Sequence, residues 1–216
     1  MYRPRVKICC ISSIEEARMA IQAGADALGL VADMPSGPGI ISDKLIADIA
    51  RKIPPPIATF LLTSETEAKR IIVHYMRVST NAIQIVDELT DGTFHEIKKT
   101  LPAVKLVQVI HVKDKESVEK AIHVSQFVDA ILLDSGNPDL DTKVLGGTGK
   151  IHNWKLSKKI CRSIDVPVFL AGGINTGNVR EALKTVQPFG IDICSGVRTN
   201  GKLDRKKLND LFRLLH

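Results

Sequence analysis

Three groups of residues combine reactive side chains with a setting that could use them. An apolar run beginning at Val128 ends in Leu132-Leu133-Asp134-Ser135, which puts a carboxylate at the tip of a candidate strand. A carboxyl there can give a proton to a bound molecule or take one from it; the competing reading is a turn cap shared with Ser135. Near the N terminus, Lys7-Ile8-Cys9-Cys10 closes a second apolar run. If Ile8 and Cys10 face outward, Lys7 and Cys9 face the other side. The Cys9 thiol then lies nearer the strand end, where it could act as a base with Lys7 or a bound substrate favouring its thiolate. The competing reading is a small buried hydrophobe, and Cys10, Cys161 and Cys194 are read that way. The third group is glycine-bearing: Gly146-Gly147-Thr148-Gly149-Lys150, Ala171-Gly172-Gly173-Ile174-Asn175 and Ser195-Gly196-Val197. Such stretches let backbone N–H groups approach an anion closely, although any one of them can be a turn and nothing more.

The elements that must position these groups recur along the whole chain. Candidate strands cover Arg5–Ile11, Asp26–Ala32, Pro56–Leu62, Asn81–Val86, Val104–His111, Val128–Leu133, Val166–Ala171 and Gly190–Cys194. Helical patterns follow each in turn, over Ile14–Ala23, Asp43–Lys52, Glu65–Val78, Phe94–Leu101, Lys115–Gln126, Trp154–Ser163, Gly177–Val186 and Asp204–Leu215. Ser64 with Glu67 has capping-box spacing, Ser42 and Asp114 can cap the helices after them, and Gly24 suits a helix C terminus. Several strands are apolar on both faces, as strands between a filled interior and an outer helical layer must be. Eight alternating units without a linker predict one domain over residues 1–216, a closed α/β (β/α)8 TIM barrel. In that fold the loops after the strands build the active site, so the two long ones, 33–41 and 135–153, are the natural places for substrate contacts. Gly172, Gly173, Ser195 and Gly196, at the ends of strands seven and eight, fall where such barrels cradle phosphate.

Composition narrows the function. No apolar run is long enough to cross a bilayer, and the first residues lack the apolar core of a signal peptide, so a soluble, cytoplasmic protein without membrane partners is expected. The four cysteines have neither zinc-ligand nor disulfide-framework spacing. The formal charge is +6, but aromatic residues make up only 4% and are not interleaved with the basic ones, which disfavours nucleic acid. The densest basic segment, Lys202 to Lys207 with Arg213, reads as a solvated helix face. A positive chain does favour encounter with a phosphorylated metabolite. His111, ending strand five, is the best placed of the six histidines, yet no Ser-His-Asp or HExxH pattern accompanies it.

Taken together, VKIC at Val6–Cys9, AGADALGLV at Ala23–Val31, LLDS at Leu132–Ser135, GGTGK at Gly146–Lys150, AGGIN with Asn178-Val179, and SGV at Ser195–Val197 resemble the signatures of phosphoribosylanthranilate isomerase, in the same order. That family belongs to tryptophan biosynthesis. The resemblance implies an Amadori rearrangement of N-(5-phosphoribosyl)anthranilate, with Asp134 as the acid that opens the ribose ring and Cys9 as the base at C2′. It also implies phosphate binding at Gly172, Gly173, Ser195 and Gly196. Lys7 and Gly147 join these as candidate substrate contacts. No metal and no organic cofactor is implied, the partner is a phosphorylated small molecule, and a homodimer is among the assemblies open to it.

The chain departs from the family where anthranilate would bind. The family's SPR-like turn is Ser36-Gly37-Pro38-Gly39 here, without the carboxylate-binding arginine, and its QLHG is Gln84-Ile85-Val86-Asp87, without the histidine. Arg198, after SGV, is the candidate replacement. Asp87 would repel a carboxylate if it pointed inward. Two alternatives follow: a related isomerase for a different phosphorylated amino sugar, and a barrel that binds a sugar phosphate without turnover.

Overall fold

The computed structural model describes residues 3–135 and 153–215. Eight parallel strands close into a barrel: β1 (Arg5–Ile8), β2 (Ala27–Val31), β3 (Ala58–Thr63), β4 (Ala82–Ile85), β5 (Lys105–His111), β6 (Ala130–Asp134), β7 (Val168–Leu170) and β8 (Gly190–Ile193), with β8 pairing back onto β1. The helices α1 (Ile14–Ala23), α2 (Asp43–Ala50), α3 (Ala68–Val78), α4 (Phe94–Thr100), α5 (Glu116–Ser125), α6 (Trp154–Ser163), α7 (Val179–Val186) and α8 (Arg205–Leu215) follow them in turn. A three-residue 3-10 turn (Ser195–Val197) and a small hairpin of β9 (Arg198–Thr199) and β10 (Lys202–Leu203) separate β8 from α8. None of the described helices is long and apolar enough to cross a membrane.

The two-sided burial expected of the strands is observed, and it divides the core into two layers. Odd-numbered neighbours in β5 show the division: Val107 and Val109 fill the barrel interior with Phe60, Leu132 and Phe169, whereas Leu106 and Ile110 pack outward among the helices. The interior is a packed plug, in which Phe169 meets Phe60 edge to face at 6.1 Å between centroids. A cavity lies above it, at the end where the strands finish.

Local signals set most helix boundaries. The Ser42 hydroxyl accepts from Leu45 N, Asp114 accepts from Ser117 N at 3.1 Å, and Gly24 ends α1 with a left-handed φ of 114°. Ser64 does not cap α3 as its spacing with Glu67 predicts. Its hydroxyl reaches across to Asp33 O, Glu67 bridges to Asp91, and the helix begins only at Ala68. The exposed basic face of α8 accords with its reading as solvated surface.

Candidate active site

A cavity opens at the C-terminal end of the barrel, where strand termini and loops converge. Asp134 closes β6 and borders this cavity; Cys9 borders it just beyond β1, so the predicted acid and base share one rim. Gly172, Gly173 and Ser195 line it from the late strands, and Met34, Ser36 and Pro38 of the long second loop wall it on the other side. Gly147 and the rest of the Gly146–Lys150 stretch lie outside the described residues.

Asp134 is 8% exposed. Burial pushes its carboxyl up to about 6; the hydrogen bond from Ser135 N, at 2.7 Å, opposes the rise, and the nearby Asp192 charge reinforces it. A carboxylic acid in that range keeps a share of its protons near neutrality, as a general acid must. Cys9 presses against β2, where a Cβ on Gly29 would stand 2.8 Å from the Cys9 sulfur and 3.1 Å from Lys7 Nζ. Only glycine leaves the thiol and the ammonium their places.

Lys7 faces the interior as predicted, but beneath the cavity. It is fully buried, 2.8 Å from Asp192 Oδ2, with Nζ 5.3 Å from the centre of the Phe60 ring. Burial alone would lower its pKa, yet Asp192 and the neighbouring thiols hold it above the usual value, so it is a fixed cation. Its polar contact is with Asp192, which itself lines the cavity.

The phosphate candidates form a structured cradle. Gly172 and Gly173 both take left-handed conformations, with φ of 79° and 66°. The Gly173 carbonyl is tied back by the side-chain amides of Asn175 and Asn178, at 3.0 and 2.9 Å, in front of α7. Gly196 serves a different end from its neighbours. It is the contact between the two loops, since a Cβ there would lie 2.1 Å from Ile174 O, and Ser195 rather than Gly196 borders the cavity.

Two expectations need correction. Cys10 does not face the helices. The strand β1 ends at Ile8, and Cys10 takes a φ of 63°, so strand alternation lapses and its thiol enters the cavity beside Cys194. Cys10 donates to Cys194, which raises the Cys10 thiol well above its usual value and lowers that of Cys194. Arg198 is not free for a substrate carboxylate. It is 8% exposed, bridges both oxygens of Glu16 at 3.0 Å, and caps the carbonyls of Cys9, Cys10 and Gly201. Sequence gave no sign of this, because Glu16 lies 182 positions away.

The remaining candidates are peripheral. His111 turns toward the barrel mouth but does not border the cavity; Nε2 lies 3.1 Å from Val86 O, and burial lowers its pKa despite that bond. Asp87 is buried, with its Oδ1 accepting from Glu88 N. Cys161 sits in α6, remote from the mouth, its thiol pushed up to about 11 by burial.

A family model for N-(5'phosphoribosyl)anthranilate (PRA) isomerase matches residues 6–213. The chain belongs to the PRA isomerase family. It is 33% identical to N-(5'-phosphoribosyl)anthranilate isomerase 2 of Methanosarcina mazei, over 97% of this chain and 96% of that protein. The crystal structure of the PRA isomerase from Thermotoga maritima superposes with a TM-score of 0.79 at 28% identity, covering 97% of each chain. A PRA isomerase in complex with reduced 1-(o-carboxyphenylamino)-1-deoxyribulose 5-phosphate is similar at a TM-score of 0.76 and 25% identity, again over 97% of each chain.

Proposed function

We propose that the protein isomerises N-(5-phosphoribosyl)anthranilate to 1-(2-carboxyphenylamino)-1-deoxyribulose 5-phosphate in the cytoplasm, as a step of tryptophan biosynthesis. The observation that carries this reading is the meeting of Asp134, Cys9 and the Gly172-Gly173-Ser195 cradle at one cavity. In the reaction Asp134 gives its proton to the ribose ring oxygen, the C1′–O bond breaks, and the anilino nitrogen lone pair forms the Schiff base. The Cys9 thiolate then takes the C2′ proton, the electron pair moves into an enolamine, and tautomerisation yields the ketone. The phosphate rests on backbone N–H groups of the two glycine loops, which fixes the sugar between acid and base. The acid that opens the ring and the base at C2′ are both side chains of this chain. Each correctly placed group contributes on the order of 10² to 10⁴ in rate.

A second reading has its own support. The charged residues among those described around the cavity are Asp134 and Asp192, both acidic, and Arg198 is committed to Glu16. A cavity of that charge suits a phosphorylated amino sugar whose amine carries no carboxylate. Substrate fluorescence separates the two. Phosphoribosylanthranilate made in situ should be consumed by the wild-type protein and persist with Asp134→Asn or Cys9→Ser. Persistence with the wild type itself would favour the second reading. Light scattering on the same sample distinguishes monomer from homodimer.

A further inference from the structure

The buried Lys7–Asp192 pair leaves one group unexplained. Asp192 is 8% exposed and lines the cavity; its Oδ2 receives Lys7 Nζ at 2.8 Å, while its Oδ1 is buried without a hydrogen-bond partner among the described residues. A carboxylate paired with a fully buried ammonium offers its second oxygen as an acceptor. Leaving such an oxygen unmet is unfavourable, so the site is matched to a donor that arrives with a ligand. Gln84, on the opposite strand β4, also lines the cavity with an unmet buried Oε1, but an amide can reverse and exchange acceptor for donor. Asp192 has no such freedom, and the chemistry it asks for is defined.

Its position narrows the donor further. Asp192 pairs in register with Lys7, two residues before Cys9 on the same chain segment, and its charge is felt by Asp134. Around the closed sheet β8 lies between β1, which leads to the proposed base, and β6, which ends in the proposed acid, and Asp192 on that strand precedes Ser195 of the cradle. Resting on the isomerase reading, which puts the C2 carbon of the sugar at Cys9, we infer that Asp192 Oδ1 accepts a hydrogen bond from the C2 hydroxyl of the pentose phosphate, making Asp192 a substrate-contacting residue with Lys7 holding it in place. The contact would fix which face of C2 meets Cys9 and select pentoses that bear this hydroxyl.

Binding of ribose 5-phosphate, 2-deoxyribose 5-phosphate and inorganic phosphate, measured by calorimetry, tests this without relying on turnover. A hydrogen bond to a charged acceptor is expected to make the wild-type protein bind ribose 5-phosphate about ten- to a hundredfold more tightly than the deoxy sugar. The double variant Lys7→Met/Asp192→Leu removes the acceptor together with its buried counterion. It should bind the two sugars alike while keeping the wild-type affinity for inorganic phosphate. Lys7→Met/Asp192→Asn retains an acceptor oxygen and should keep part of the preference. Should the first double variant fail to fold, Asp192→Asn alone is expected to reduce the preference severalfold. Equal binding of both sugars by the wild type, or a preference that survives loss of Asp192, overturns the inference. A preserved preference in a wild-type protein inactive on phosphoribosylanthranilate would instead keep Asp192 and remove the proposed amine.

Discussion

The carboxyl of Asp134 shows how one residue exchanges stability for chemistry. Its folded value of about 6 lies above the usual 3.8 because burial disfavours the ionised form. Between those values the native protein holds a proton that the unfolded chain has released, so stability declines as pH rises from about 4 to about 6 and the deficit persists above. Asp134→Asn should remove that deficit, on the order of 1–3 kcal/mol. Its melting temperature is expected to exceed that of the wild type at pH 7, with the gap closing near pH 4. In the proposed mechanism the same proton opens the ribose ring, so kcat/KM for phosphoribosylanthranilate should fall as pH climbs through about 6. A profile flat from pH 5 to 8 would mean that another group supplies the proton.

Elements decide where reactive residues finally point, and loops do so less legibly than strands. The eight strands and eight helices were readable because each carries its own apolar period and, for several, its own cap. Lys7 and Cys9 faced inward as alternation requires. Cys10 did not follow, since its φ of 63° lies outside any strand, and nothing local in Cys9-Cys10-Ile11 announces that turn. The consequence reaches the second loop: a Cβ on Gly39 would lie 2.5 Å from Cys10 Cβ, and Gly39 itself has a φ of 78°. Restoring an arginine there by Gly39→Arg should therefore cost about 1–3 kcal/mol, seen as a lower melting temperature, and Cys10→Gly in the same chain should recover part of the loss. At the other rim, Gly196→Ala must push Ser195 away from Ile174. Inorganic phosphate should then bind about tenfold more weakly or worse, with the fold retained by circular dichroism.

For the molecule as a whole, closure of the barrel depends on contacts between its two ends. Lys7 with Asp192 joins β1 to β8 inside the barrel, and Arg198 with Glu16 joins the β8 exit to α1 outside it. Burial pushes Glu16 up, but Arg198 and the N–H groups of Leu203 and Ser12 more than offset this and hold its pKa below the usual value. That depression contributes stability above the unfolded value, which is lost as pH falls through the folded one. Arg198→Met strands a buried carboxylate and should destabilise by about 3–5 kcal/mol in urea at pH 7. Adding Glu16→Gln should return much of it, because the uncompensated charge is gone. A double variant as unstable as the single one would mean that Arg198 acts chiefly through the carbonyls of Cys9 and Cys10.

The amino-acid order alone determined the alternating elements, the inward faces of the strands, the carboxylate and thiol at their tips, and the glycine turns near strands seven and eight. Those properties depend on neighbours within a few residues, where periodicity and backbone freedom act. Tertiary structure decided that Arg198 is held by Glu16, that Cys10 turns into the cavity, that Gly196 is the seam between two loops, and that Asp192 keeps one buried oxygen without a partner among the described residues. Each of these is set by a partner distant in sequence or by closure of the sheet, and a buried charge reveals its role only when the group that neutralises it is in view.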